Sequence, residues 1–109
     1  LESVAFHVPC VTTTLAGFGM WANSVKGGDS TIMDGVEVIR RTDYNYSEVA
    51  DRIKETVSTF SNLTDKEVEE IRKKAKKLSD KALWKNFIKY YYEAYDIALK
   101  NRDIRVAQK

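Results

Sequence analysis

Two periods of apolar and polar positions run along this chain, and the change from one to the other divides it. Residues 10 to 14 (Cys-Val-Thr-Thr-Thr) and 36 to 40 (Val-Glu-Val-Ile-Arg) are short runs rich in β-branched side chains, and both predict strands. Pro9 opens the first run, where a missing N–H breaks no ladder hydrogen bond. Leu1 to His7 reads as the tail of a helix, and Phe18 to Val25 as a short helix closed by the loop signal Gly27-Gly28-Asp29-Ser30. From Asn45 onward the period is helical. Val49, Ile53, Val57 and Phe60 recur at three- and four-residue intervals, and so do Val68, Ile71, Ala75 and Leu78, which predicts two helices with one buried stripe each.

The starts of these helices carry their own marks. Asn45 with Glu48 has the form of a capping box, with Tyr44 and Val49 as its hydrophobic staple, and Thr64 with Glu67 repeats the device with Leu63 and Val68. A third helix is predicted from about Ser79 to Asn101, with Trp84, Phe87, Ile88, Tyr91, Tyr95 and Ala98 on one face. Trp84, Phe87 and Tyr91 are expected to form its main contact with the strand layer, while Tyr90 and Tyr92 lie outside that stripe. Strand, helix, strand and three helices read as an α/β protein: the end portion of a Rossmann-like parallel sheet with a predominantly helical carboxy-terminal extension. The first part spans residues 1–61 and the helical extension 62–109.

The join between the first strand and its helix is the candidate for chemistry, because ligands of open parallel sheets sit beyond the strand carboxyl ends. Gly17 and Gly19 predict a turn in conformations closed to other residues. Such a turn aims the backbone N–H groups of Gly17, Phe18 and Gly19 at a diphosphate or a sugar hydroxyl, with Thr13 and Thr14 adding hydroxyls. Phe18 either offers its face to a sugar ring or packs as a plug into the neighbouring helix.

Length and composition narrow the function classes. The chain has 109 residues, enough for one compact domain and too few for a two-domain transferase. No secretory leader and no apolar run of about 18 residues is present, so the expected location is cytoplasmic, with no membrane partner. The single Cys10 has no disulfide partner and predicts a small buried side chain; the single His7 has no partners for a metal centre, and no cofactor is expected. Residues 1–60 hold 5 basic and 8 acidic side chains, and residues 61–109 hold 13 and 8. The basic second half invites an anionic partner, but its cations are interleaved with carboxylates and no nucleic-acid motif accompanies them.

Three motifs, in order, carry a family resemblance. Pro9, Val11, Thr12, Thr13, Ala16 and Gly17-Phe18-Gly19 are similar to the P-x-V-T-T-x-x-(S/A)-G-F-G signature of glycogen synthases of the animal and fungal type. Gly35-Val36-Glu37-Val38-Ile39-Arg40-Arg41 resembles that family's last Rossmann strand, and Leu78-Ser79-Asp80 followed by Trp84-Lys85 its Leu-Ser-Asp and Trp-Lys element. The resemblance implies a retaining glycosyltransferase of the two-Rossmann GT-B architecture. Its donor is UDP-glucose or ADP-glucose and its acceptor the non-reducing end of an α-1,4-glucan. It also implies that Glu2 is the second glutamate of the family's Glu, seven residues, Glu motif, which holds the donor ribose. On this reading the first glutamate and an amino-terminal Rossmann domain precede Leu1, the chain is a carboxy-terminal fragment that is inactive alone, and no catalytic residue lies within it.

Arg72-Lys73-Lys74-Ala75-Lys76-Lys77 follows the acidic start of its helix, an arrangement the helix dipole favours. The resemblance adds a second reading, an anion site like the arginine-rich helix with which regulated members bind glucose 6-phosphate. Arg72 matches one of those arginines, while Lys74 and Lys77 replace others and lack the bidentate fork of arginine. A binding or assembly module that uses the aromatic face of the third helix is the alternative function, and burial of Tyr90 and Tyr92 in a homo-oligomer is expected of the free chain.

Overall fold

The computed structural model describes residues 1–109. Its order is α1 (Glu2–Ala5), β1 (Cys10–Thr13), α2 (Gly17–Lys26), a 3₁₀ turn (Ile32–Asp34), β2 (Val36–Ile39), α3 (Tyr46–Ser61), α4 (Asp65–Lys81) and α5 (Trp84–Ala107). β1 and β2 pair in parallel, Cys10 opposite Val36 through Thr13 opposite Ile39. All four residues of β2 are buried, whereas β1 is only half covered. Parallel strands need cover on both faces, and α2, α3 and the 3₁₀ turn supply it for β2. The second edge of β2 is closed by Ser30, whose carbonyl accepts from the Val38 N–H at 3.0 Å and whose hydroxyl donates to the Val36 carbonyl at 2.6 Å.

The core is a cluster of Val4, Ala22, Val36, Val38 and Ala75, with Cys10, Phe18 and Leu78 packed against it. Two close backbone approaches set its shape. Gly19 lets α2 lie on the Thr13 carbonyl, which a Cβ at residue 19 would strike. Gly35, at φ 97°, turns the chain into β2 where a Cβ would fall 2.7 Å from the main chain of Ala75 on α4. α4 thereby packs against the 3₁₀ turn and α1, burying Ile71, Ala75 and Ser79.

Several expectations are corrected. Gly17 and Gly19 form no turn of their own: both lie in the first turn of α2, and the positive-φ glycines are Gly27 and Gly35. Gly19 is needed for closeness and not for its dihedrals. Asn45 precedes α3 but makes no cap; its carboxamide accepts from the Thr42 N–H at 2.8 Å and donates to the Arg40 carbonyl at 2.8 Å. Its side chain thus serves the turn leaving β2, and Tyr44, 96% exposed, staples nothing. The Val49 to Phe60 stripe of α3 is largely uncovered, Thr56 being that helix's one buried residue. The Thr64 cap forms, its hydroxyl accepting from the Glu67 N–H at 3.2 Å.

The largest departure is the last helix. α4 continues through Lys81, and Leu83 is extended (φ −64°, ψ 145°), so α5 starts at Trp84 and not near Ser79. α5 buries no residue. Trp84 is 60% exposed and lies on Tyr91 of its own helix at 4.9 Å between centroids, leaving Phe87 as the member of the expected trio that reaches the body of the protein. The molecule therefore extends over 66 × 34 × 20 Å.

Candidate functional site

The carboxyl ends of β1 and β2 are fastened together. The Thr14 N–H donates to the Ile39 carbonyl at 3.0 Å, and the Thr14 hydroxyl accepts from the Arg41 N–H at 3.1 Å, across 27 residues of sequence. Thr13 Oγ1 accepts from the Leu15 N–H at 3.3 Å, bending the chain out of the strand and toward α2. Each threonine uses an acceptor lone pair for these bonds, and its hydroxyl proton has no partner within the chain.

α2 begins immediately beyond. Ala16, its N-cap, has no side chain able to accept a hydrogen bond, and the first intrahelical bond runs from Met20 N–H to the Ala16 carbonyl at 3.2 Å. The N–H groups of Gly17, Phe18 and Gly19 thus have no intrahelical partner at the positive end of the helix, and of the three residues Gly19 is buried. Gly17 is exposed and has open space where a Cβ would stand. Phe18 is partly buried against the core and lies 6.0 Å from the Trp21 ring of its own helix.

Glu2 stands apart, exposed in the single turn of α1, and its carboxylate makes no hydrogen bond or ion pair within the chain. α1 closes in a Schellman arrangement, with Val8 N–H to Ser3 carbonyl at 2.9 Å and His7 N–H to Val4 carbonyl at 3.1 Å. His7 takes the left-handed position of that motif, at φ 62°.

The three basic candidates do not converge. Arg72 Nε donates to the His7 carbonyl at 3.2 Å and Lys74 Nζ to the Met33 carbonyl at 3.2 Å, so one clamps α4 to the end of α1 and the other to the 3₁₀ turn. Lys77 is exposed and makes neither a hydrogen bond nor an ion pair.

Sequence reasoning missed the polar network around β2. Glu37, 3% exposed, accepts from the Ile32 N–H at 2.6 Å and from Arg52 Nε at 2.9 Å, which fixes α3 on the strand. An acidic residue amid an apolar strand, followed by an arginine on a helical face, was the available signal. Thr31 and Asp34 form a full capping box around the 3₁₀ turn, legible as Thr-x-x-Asp, and Lys26 pairs with Asp34 at 2.5 Å. Partial burial works to raise the Asp34 carboxyl, but the Lys26 ammonium and the Thr31 N–H and hydroxyl outweigh it and hold the group below its ordinary value.

An open cleft of about 1020 Å³ runs from Thr14 along β2 to α3. Asp29, Glu48, Asp51 and Glu55 outnumber Arg40 and Arg52 on its walls, so its field disfavours a phosphate. No three His, Cys, Asp or Glu side chains come together as metal ligands, and no helix is long and apolar enough to cross a membrane.

Two short parallel strands tied at their carboxyl ends, in a chain that is otherwise mostly helical, are those of an α/β fragment. Residues 1–104 match the family described as glycogen synthase, and the chain belongs to that family. The comparison with curated proteins gave no match.

Proposed function

We propose that this chain forms one wall of the donor site of a glucosyltransferase, which moves glucose from UDP- or ADP-glucose to the non-reducing end of an α-1,4-glucan with retention of configuration. Membership of the glycogen synthase family over residues 1–104 is the observation that carries the reading. The α2 amino end fits it: the amides of Gly17, Phe18 and Gly19 meet the diphosphate and stabilise the charge that develops as the glycosidic bond breaks, without a metal. Thr13 and Thr14 donate to the same group or to the sugar, and the free carboxylate of Glu2 accepts from the two ribose hydroxyls. An amino-terminal Rossmann domain brings the acceptor and the remaining catalytic groups across the cleft, so the chain by itself turns nothing over.

The test is transfer of labelled glucose to glycogen by the protein that joins this chain to such a domain. Loss of one charged hydrogen-bonded contact is worth roughly 1.5 to 3 kcal/mol, so Glu2→Ala is expected to lower donor kcat/KM by about tenfold to a hundredfold and leave Tm unchanged. Unaltered donor kinetics with a lowered Tm would make Glu2 structural, and turnover by residues 1–109 alone would overturn the two-sided site.

A further inference from the structure

We propose that Phe87 of α5, acting through Trp21, is a positioning residue for the amino-terminal turn of α2; the inference rests on the reading of that turn as the diphosphate contact. Three rings stand in series. Phe18, in the first turn of α2, lies 6.0 Å from Trp21, and Trp21 lies 6.1 Å from Phe87 across the gap between the helices. The rings are tilted, at 33° and 46°, and both separations fall within the range of about 4.5–7 Å over which aromatic pairs attract. Phe18 is also packed on the core cluster, so the series has one end at the site and the other on the last helix.

What gives the series its role is how lightly α5 is otherwise attached. α5 buries none of its residues, and its one side-chain hydrogen bond to the rest of the chain is Asn86 Nδ2 to the Asp80 carbonyl at 3.0 Å, beside the break where the helix begins. That bond holds the start of α5 without fixing the direction it takes. The Trp21–Phe87 contact, with the half-buried Ile88 beside it, sets that direction, and by the same contact the seating of α5 bears on Trp21. Trp21 lies one residue beyond Met20, whose N–H makes the first bond of α2, and two beyond Gly19, whose backbone rests on Thr13. The indole thus bears on a helix end that has no side-chain cap of its own and is held by the packing of Phe18 and the contact of Gly19 with Thr13.

The experiment uses residues 1–109 and amide hydrogen exchange, with no nucleotide sugar present. Aromatic pairs of this kind couple by about twofold to tenfold in an equilibrium constant. Phe87→Ala is therefore expected to speed exchange at Met20 by that factor while leaving Ile71, in the core of α4, unchanged. Phe87→Tyr restores the slow rate, and in a Trp21→Ala background Phe87→Ala has no further effect. Unchanged Met20 exchange in Phe87→Ala with α5 still helical by circular dichroism overturns the proposal, as does an equal effect with and without Trp21. Failure of UDP-glucose and ADP-glucose to perturb the Gly17 and Gly19 amide resonances, with the coupling present, counts against the donor reading alone and leaves the positioning role supported.

Discussion

Replacing Gly19 with alanine sets a methyl group against the main chain of β1. A Cβ there strikes the Thr13 carbonyl oxygen and lies 3.1 Å from that carbonyl carbon and 3.2 Å from Thr12 Cγ2. Neither backbone can step aside, because Thr13 is paired in the sheet and Ala22, one turn further along α2, is 1% exposed in the core. Overpacking of this kind costs about 1–3 kcal/mol, and the upper end applies where the obstacle is backbone. The gain from removing a helical glycine, about 0.5–1 kcal/mol, leaves a net loss of about 2 kcal/mol. Gly17 is the internal control, since it occupies the same helical turn with nothing within 4 Å of its added Cβ and no positive φ. Gly17→Ala is expected to stabilise by about 0.5 kcal/mol. Thermal unfolding followed by circular dichroism reads both: at about 4 °C per kcal/mol, Gly19→Ala falls by about 8 °C and Gly17→Ala rises by about 2 °C. Equal shifts for the two variants, or a more stable Gly19→Ala, would refute the close approach of α2 to β1.

Three further outcomes follow from the polar network and the end of α1. Glu37→Ala leaves the buried Ile32 N–H and Arg52 without their acceptor and is expected to cost about 3 kcal/mol, whereas Glu37→Gln keeps an acceptor and costs about 1 kcal/mol; equal urea midpoints for the two would deny that Ile32 depends on this side chain. His7→Gly relieves the left-handed residue of the Schellman turn and is expected to stabilise by about 0.5–1 kcal/mol, and a fall in Tm would show that the imidazole contributes more than its strain. The lowered Asp34 carboxyl contributes stability above its ordinary value near pH 3.8, and that contribution is lost as pH falls through the folded-state value. Asp34→Asn is accordingly expected to be less stable than the parent at pH 6, by a margin that shrinks as pH falls below 3.8; a Tm difference constant over the acid range would remove the linkage.

The strands were legible because Val11, Val36, Val38 and their β-branched neighbours have one comfortable backbone, and Thr64 was legible because its hydroxyl finds Glu67 within its own segment. Such features are decided locally. Asn45 was misread because its carboxamide had a nearer claim, the carbonyl of Arg40 at the end of β2, which no local pattern reveals. The stripes of α3 and α5 obey helical periodicity, yet Val57 is 60% and Tyr95 57% exposed. Periodicity says that a face is apolar and not what stands opposite it. At the candidate site, the Gly17-Phe18-Gly19 motif located the strand exit correctly while its conformation was helical, since glycine serves close approach as well as unusual dihedrals.

The extended Leu83 gives α5 a mechanical character. Twenty-four residues at about 1.5 Å each make an arm of about 36 Å, joined to the body at one end. The radius of gyration, 18.9 Å, exceeds the value of about 13 Å expected for a compact chain of this length. Geometry then amplifies whatever happens at the joint: a swing of about 10° about Leu83 carries the far end through about 6 Å over that arm length. A displacement that small at the base, where Phe87 meets Trp21, amounts to a fraction of a side chain. At Ile104 and Val106 the same swing spans more than a full turn of helix, enough to exchange one set of neighbours for another.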